Sequence, residues 1–137
     1  MSRTLVICKP DAVERGLAGE IVSRLERKAL RLVAAELRTI DDATARRHYA
    51  EHDGRPFFAD LVAFITRGPS LVFVAEGPVE NTWKVVRTLI GSTDPAESPP
   101  GTIRGDLGIR ITDNLVHGSD SEASAQREIG LFFPSLA

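Results

Sequence analysis

The chain has 137 residues, of which 42% are hydrophobic and 26% charged, and its formal net charge is −2. This composition is typical of one soluble domain over residues 1–137 that can bury a sizeable core. The slight negative charge argues against nucleic acid or an anionic membrane surface as a partner. No apolar run is long enough to span a membrane, and the only cysteine, Cys8, excludes an internal disulfide, so a cytoplasmic location is expected.

The first half of the chain alternates between apolar runs and amphipathic stretches. Strands are indicated by continuous or alternating apolar residues, and helices by apolar residues that recur every three or four positions. Acidic residues at 41–42 and breakers at 54, 56, 68 and 69 set the boundaries. The predicted elements are a strand over 4–8, a helix over 17–29, a strand over 32–40, a short helix from 41 that ends by 54, and a helix from 56 to 67.

The second half predicts a central strand over 71–75, a helix over 81–90, a last strand at 115–116 and a helix from 122. Residues 91–105 are rich in Gly, Pro, Ser and Thr and are expected to be a long loop, which in a small domain is often functional. The pattern from Ser119 to Glu122 fits a capping box for the last helix. The order of elements indicates an α+β or α/β sandwich with a single sheet.

His117 lies at the end of the last predicted strand, and Gly118 follows it. Imidazole is largely neutral near pH 7, so one ring nitrogen offers a lone pair to an electrophile. This segment alone more often describes a turn histidine that only satisfies its hydrogen bonds. The rest of the chain favours a nucleophile.

Basic and polar side chains occur where predicted elements end. A histidine nucleophile with such cations and donors indicates an anionic substrate, most simply a phosphate. No Walker A sequence or protein-kinase glycine-rich loop is present, so phosphate chemistry would need another solution, such as a phosphohistidine. The residues in question are Lys9, Arg87, Thr93, Arg104 and Asn114.

Six distinctive segments occur in order along nearly the whole chain: LVICKPDAV, HYAEHDGRPFF, VRTLIGSTDP, PGTIRGD, NLVHGSDS and REIGLFFP. In these segments the chain resembles the nucleoside diphosphate kinases. The resemblance implies an α+β fold, a ferredoxin-like sandwich in which helices flank a four-stranded antiparallel sheet. It also implies a ping-pong mechanism, in which a phosphohistidine carries the γ-phosphate of a nucleoside triphosphate such as ATP to a nucleoside diphosphate.

The resemblance also implies roles for individual residues. His117 would be the nucleophile and Glu128 the acid that orients it, and Ser119 would bond Glu128 or merely cap the helix. Phe57 would stack on the base, which suits an enzyme with little base selectivity. The positions that would contact phosphate and sugar are Lys9, Tyr49, Arg87, Thr93, Arg104 and Asn114, with Lys9 also counted among the catalytic residues.

Cofactor and assembly are likewise implied by the resemblance. Mg²⁺ is expected on the nucleotide phosphates with few or no protein ligands. A homo-oligomer is expected, with a hexamer favoured over a tetramer. The chain departs from the family at Leu107, Cys8 and Trp83, and these departures concern packing rather than chemistry.

The residues also allow two alternatives. His48, Glu51 and His52 fit the H-x-x-E-H pattern of inverted zinc metalloproteases, although Gly54 and Pro56 follow at once. The second alternative is a nucleotide-binding or interaction module without catalysis, since a fold does not determine a function. Retention of His117 and its supporting residues favours the enzyme.

Overall fold

The computed structural model describes all of residues 1–137. Its strands are β1 (Ser2–Cys8), β2 (Arg31–Arg38), β3 (Ser70–Gly77) and β4 (Val116–Gly118). Its helices are α1 (Pro10–Glu14), α2 (Ala18–Arg27), α3 (Asp42–His48), α4 (Phe58–Thr66), α5 (Thr82–Ile90), α6 (Ile103–Leu107) and α7 (Glu122–Phe132). Single 3₁₀ turns cover Ala50–His52, Pro95–Glu97 and Pro134–Leu136.

The four strands form one antiparallel sheet in the order β2-β3-β1-β4. The two central strands, β1 and β3, are the continuous apolar runs, because both of their faces are covered. Ile7 of β1 pairs with His117 of β4, so the candidate nucleophile is carried on a short edge strand beside the most buried part of the sheet. The expected α+β sandwich with a four-stranded antiparallel sheet is confirmed.

Two apolar clusters fill the spaces on either side of the sheet. Alternate residues of β1 divide between them, with Val6 in one cluster and Ile7 in the other. Helices α2 and α5 contribute to the first cluster, and α3, α4 and α7 to the second. Cys8 is fully buried, as expected, and burial raises the pKa of its thiol to about 12. None of the helices is both long and apolar enough to cross a bilayer.

Several predicted boundaries are wrong in detail. The sequence does not predict helix α1, because five residues are too few to show a helical period. The loop predicted over 91–105 contains a 3₁₀ turn and the start of α6. Helix α4 begins at Phe58 rather than at Pro56. The alternation of Leu37 with Glu36 and Arg38 predicts that Leu37 faces inwards, but this side chain, on the edge strand β2, is 63% exposed.

The capping box predicted from Ser119 is also wrong. The residue that caps α7 is Ser121, whose Oγ accepts a hydrogen bond of 3.0 Å from the backbone N–H of Ser124. Ser119 lies two residues earlier and is fully buried. Its hydroxyl is therefore free for another partner.

Candidate active site

A cavity of about 830 Å³ lies beside β4. Its wall includes His117, Glu128 and all seven residues predicted to contact a nucleotide: Lys9, Tyr49, Phe57, Arg87, Thr93, Arg104 and Asn114. These residues come from both halves of the chain, and the fold brings them together. Ser119 is the one predicted site residue outside the wall, and it lies behind Glu128.

The His117 ring is fixed by one short contact. Its Nε2 lies 2.8 Å from Oε1 of Glu128, which comes from α7. A carboxylate can only accept, so the neutral ring carries its proton on Nε2 and leaves the lone pair of Nδ1 free. At Gly118, the next residue, a Cβ would lie 2.9 Å from Cδ1 of Ile90 and 3.2 Å from Cγ1 of Val86, so a larger residue there would force these α5 side chains to shift.

Glu128 is buried and accepts two hydrogen bonds. The second comes from the Ser119 hydroxyl, 2.8 Å from the same Oε1. Burial raises the pKa of Glu128, but the bonds from His117 and Ser119 and the nearby histidines outweigh it, and the pKa is below its ordinary value. The carboxylate is thus charged and placed to stabilise a cationic imidazole.

A lysine and an asparagine form one corner of the cavity. Nζ of Lys9 donates to Oδ1 of Asn114 at 3.0 Å, and Nδ2 of Asn114 donates to the carbonyl of Thr93 at 3.0 Å. Burial, followed by the charge of Arg104, lowers the pKa of Lys9 to about 8, against the opposite effect of Asp11. Lys9 is therefore protonated at pH 7 but loses its proton in mildly alkaline solution.

Arg104 is 5% exposed and is held by three carbonyl groups. Its guanidinium donates to Asn114 O at 3.1 Å, to Ser92 O at 3.2 Å and to Val116 O at 2.6 Å. Three of its five N–H groups are used in this way, which leaves two for a ligand in the cavity. Burial and the charge of Arg87 lower the pKa of Arg104 to about 10, so it stays cationic at pH 7.

Two exposed apolar side chains mark the outer, open end of the cavity. Phe57 is 45% exposed and Ile111 is 55% exposed, and both belong to the wall. Phe57 immediately precedes α4, whereas its neighbour Phe58 is buried in the core. Sequence reasoning missed Ile111, because an isoleucine in a polar loop carries no signal of a binding role.

His48 is a second residue that sequence reasoning missed. Its ring centroid lies 4.6 Å from that of His117, with the planes at 83°, and 4.7 Å from that of Tyr49. It is buried, and its Nδ1 has no hydrogen-bond partner. Burial, followed by the charge of His117, lowers its pKa to about 3. His48 is therefore a neutral wall behind the candidate nucleophile.

The geometry does not support the zinc-protease alternative. Helix α3 ends at His48, and Glu51 and His52 lie in the following 3₁₀ turn, so the two histidines do not share a helical face. His48, His117 and Glu128 offer ligand atoms within 4.8 Å of one another. In that group, however, Nε2 of His117 and Oε1 of Glu128 are already joined by a hydrogen bond.

Comparison with known proteins identifies one protein family over nearly the whole chain. The family model described as nucleoside diphosphate kinase matches residues 2–137. The nucleoside diphosphate kinase of Thermobifida fusca is 56% identical over 137 residues and covers 100% of both chains. That of Mycobacterium leprae is 57% identical over 135 residues, or 98% of each chain.

Solved structures agree with the sequences. A halophilic nucleoside diphosphate kinase from Halobacterium salinarum, in complex with CDP, superposes with a TM-score of 0.92 at 49% identity, covering 96% of this chain and 87% of that one. A family protein from Babesia bovis gives a TM-score of 0.94 at 45% identity, covering 99% and 90%. The chain therefore belongs to the nucleoside diphosphate kinase family of phosphotransferases, and its kinase activity follows from that family.

Proposed function

We propose that His117 is the nucleophile through which this kinase works. Nδ1 attacks the γ-phosphorus of a nucleoside triphosphate such as ATP, an N–P bond forms, and the bond to the β-phosphate oxygen breaks. The nucleoside diphosphate leaves. A β-phosphate oxygen of a second nucleoside diphosphate then attacks the phosphorus, a P–O bond forms, and the N–P bond to His117 breaks. The observation that carries the proposal is the 2.8 Å contact between Nε2 and Glu128, which leaves Nδ1 unprotonated.

Glu128 and Ser119 support the transfer without touching the substrate. As Nδ1 gains phosphorus, positive charge develops on the ring, and the buried carboxylate stabilises it. Ser119 fixes the carboxylate oxygen that faces the ring. Both are positioning residues in this proposal.

The cations at the inner end of the cavity would neutralise the phosphates. Arg87 and Arg104 can each offer paired, charge-assisted hydrogen bonds to phosphate oxygens, and Lys9 adds a compact charge. Phosphoryl transfer needs mainly such positioning and charge stabilisation. Tyr49, Thr93 and Asn114 supply further donors along the same wall for the phosphates and sugar.

The outer end would hold the base by stacking. The exposed faces of Phe57 and Ile111 can cover any base, since every base has an apolar π-face. This supports nucleoside diphosphates and triphosphates of all bases as substrates.

Enzymes of this family use nucleotides together with divalent metal ions. We propose Mg²⁺ as that ion, held mainly by the phosphates, where it neutralises their charge. The donor set fits, because the Asp120 carboxylate lines the cavity, and Mg²⁺ typically takes one or two carboxylates besides substrate oxygens and water. A hydrogen bond from Ser124 lowers the pKa of Asp120, so this carboxylate is charged at neutral pH.

The family is generally oligomeric, and we propose a homo-oligomer, a hexamer rather than a tetramer, in the cytoplasm. Support comes from apolar side chains exposed outside the cavity, notably Ile109 and Leu37. The long segment 91–105 would also be more easily ordered if neighbouring subunits covered it.

The experiment is to incubate the protein with Mg²⁺ and γ-labelled ATP, then chase with GDP. Acid-labile label should form and leave as GTP. His117→Gln should abolish the label while the folded variant still binds nucleotide, whereas His52→Gln should keep the label. Label that persists in His117→Gln would refute the proposal, and the absence of label in folded, nucleotide-binding wild-type protein would favour the binding module.

A further inference from the structure

The backbone turns sharply at Leu115, one residue before β4. Leu115 is fully buried and has a φ of +75°, a region that side chains other than glycine rarely adopt. On one side of this corner is Asn114, which bonds Lys9, and on the other is the strand that carries His117. The shape of this backbone corner at Leu115 therefore sets the distance between the Lys9–Asn114 pair and the candidate nucleophile, His117.

Residues 9–11 hold the corner from both sides. The N–H of Leu115 donates to Oδ2 of Asp11 at 3.0 Å, and the carbonyl of Leu115 accepts from the N–H of Lys9 at 2.8 Å. Both peptide groups around the strained residue are thus tied to Lys9, between β1 and α1, and to Asp11 in the first turn of α1. The Lys9 side chain comes from the same segment, so the lysine and the corner move together.

Burial of the Asp11 carboxylate is unfavourable in free energy. Asp11 is 4% exposed, and its other oxygen, Oδ1, has no hydrogen-bond partner. Burial raises the pKa of Asp11 above its ordinary value, and the bond from Leu115 and the charge of Lys9 offset this only in part. A neutral acceptor would satisfy Leu115 equally well, so a buried charge at this position calls for another explanation.

The charges around Lys9 supply that explanation. Arg104 on α6 repels the Lys9 ammonium, and Asp11 attracts it. Asp113, in the loop before β4, disfavours the charged form of Asp11, and Arg67 after α4 faces both acids. The Cys8 thiol on β1 also lies within the field of Asp11. Among these groups, only Asp11 acts on Lys9 to favour its protonated state.

We propose that Asp11 is a positioning residue of the phosphate-binding site. One of its oxygens fixes the Leu115 corner that presents Asn114 and His117, and its negative charge opposes the repulsion of Lys9 by Arg104. The inference rests on the proposed function, in which Lys9 binds phosphate. It assigns no contact between Asp11 and the substrate.

The test separates the hydrogen bond from the charge. Asp11→Asn keeps an oxygen for Leu115 and removes the charge, so Lys9 should lose its proton at lower pH. Calorimetry with ADP and Mg²⁺ should give near wild-type affinity at pH 6.5. At pH 8 the affinity should be about threefold below that of wild type, because wild-type Lys9 is still about half protonated there whereas Lys9 of the variant is largely neutral. Glu14→Gln removes an exposed acid from the same helix and should follow wild type at both pH values.

Asp11→Ala removes the hydrogen bond as well. In folded Asp11→Ala, the Leu115 amide should exchange with solvent faster than in Asp11→Asn, and phosphotransfer should fall at every pH. Unchanged protection of that amide in Asp11→Ala would refute the role at the corner. A parallel pH profile for Asp11→Asn and wild type would refute the role of the charge.

Lys9→Met distinguishes this inference from the proposed function. If Lys9→Met abolishes the loss of affinity above pH 8 and Asp11→Asn does not move it, Lys9 binds phosphate and only the inference on Asp11 fails. If the loss persists in Lys9→Met, the proposed role of Lys9 fails, and the inferred role of the Asp11 charge fails with it.

Discussion

Acid should destabilise this fold through one buried ring, that of His48. Folding removes His48 from water and surrounds it with Tyr49, His117 and Phe132, whose ring centroids lie 4.7, 4.6 and 5.6 Å away. No acceptor replaces the lost water at Nδ1. The native state therefore holds the ring neutral, whereas the unfolded chain protonates it freely.

The magnitude follows from the two pKa values, 6.5 for the free side chain and about 3 in the fold. Well above pH 6.5 neither state binds the proton, and the full stability is present. Below pH 6.5 the unfolded state gains a proton that the native state cannot accept, so stability falls as pH falls. At pH 5 the loss is RT ln(1 + 10^1.5), or about 2 kcal/mol.

The assay is urea unfolding at pH 7.5 and pH 5, at one protomer concentration, for wild type and His48→Phe. Phenylalanine preserves the aromatic contacts without a titratable group, so its free energy of unfolding should fall by about 2 kcal/mol less than that of wild type over this range. Phe132→Leu is the matched control, since it disturbs the same cluster and should keep the wild-type pH dependence. Equal losses in wild type and His48→Phe would refute the reasoning.

Two further predictions concern single contacts. Phe57→Ala should weaken the binding of adenine, guanine, cytosine and uracil nucleotides alike by roughly 5- to 150-fold, the range for one lost stacking contact. Calorimetry that showed a loss for purines alone would contradict the stacking role. Ser121→Ala should lower the free energy of unfolding by about 1 kcal/mol through loss of the α7 cap, with phosphotransfer retained. Ser119→Ala should instead slow phosphohistidine formation in rapid-quench assays. The reverse pattern would contradict the assignment of the cap to Ser121.

The sequence predicts the sheet and the longer helices well, because their signals lie within each segment. Burial can be inferred from the apolar runs of β1 and β3 and from the apolar stripes of α2 and α5, each without reference to the rest of the chain. Short elements are lost, because α1 and α6 have five residues each and show no period. Ser119 and Ser121 could not be told apart either, since the capping pattern fits the first and the hydrogen bond is made by the second.

For the candidate site, the sequence indicates which residues to consider but not how they meet. Lys9 and Asn114 are 105 positions apart, and nothing local shows that Nζ reaches Oδ1. The local pattern places His48 on a short helix or in a zinc motif with His52, whereas the fold turns it towards His117. Asp11 was invisible as well, because its partner is a backbone N–H, which every residue but proline has.

Arg104 closes the segment from Ser92 to Val116 into a ring without a covalent bond. Its three hydrogen bonds connect the carbonyl of Ser92, at the start of this segment, with those of Asn114 and Val116 at its end, as a disulfide would connect two side chains. The entropy of this closure is lost at folding rather than when nucleotide arrives. The same three bonds fix the loop beside Thr93 and the strand of His117, so they connect two walls of the cavity. Local opening should therefore release both walls together, and the site would be lost or restored as one cooperative unit.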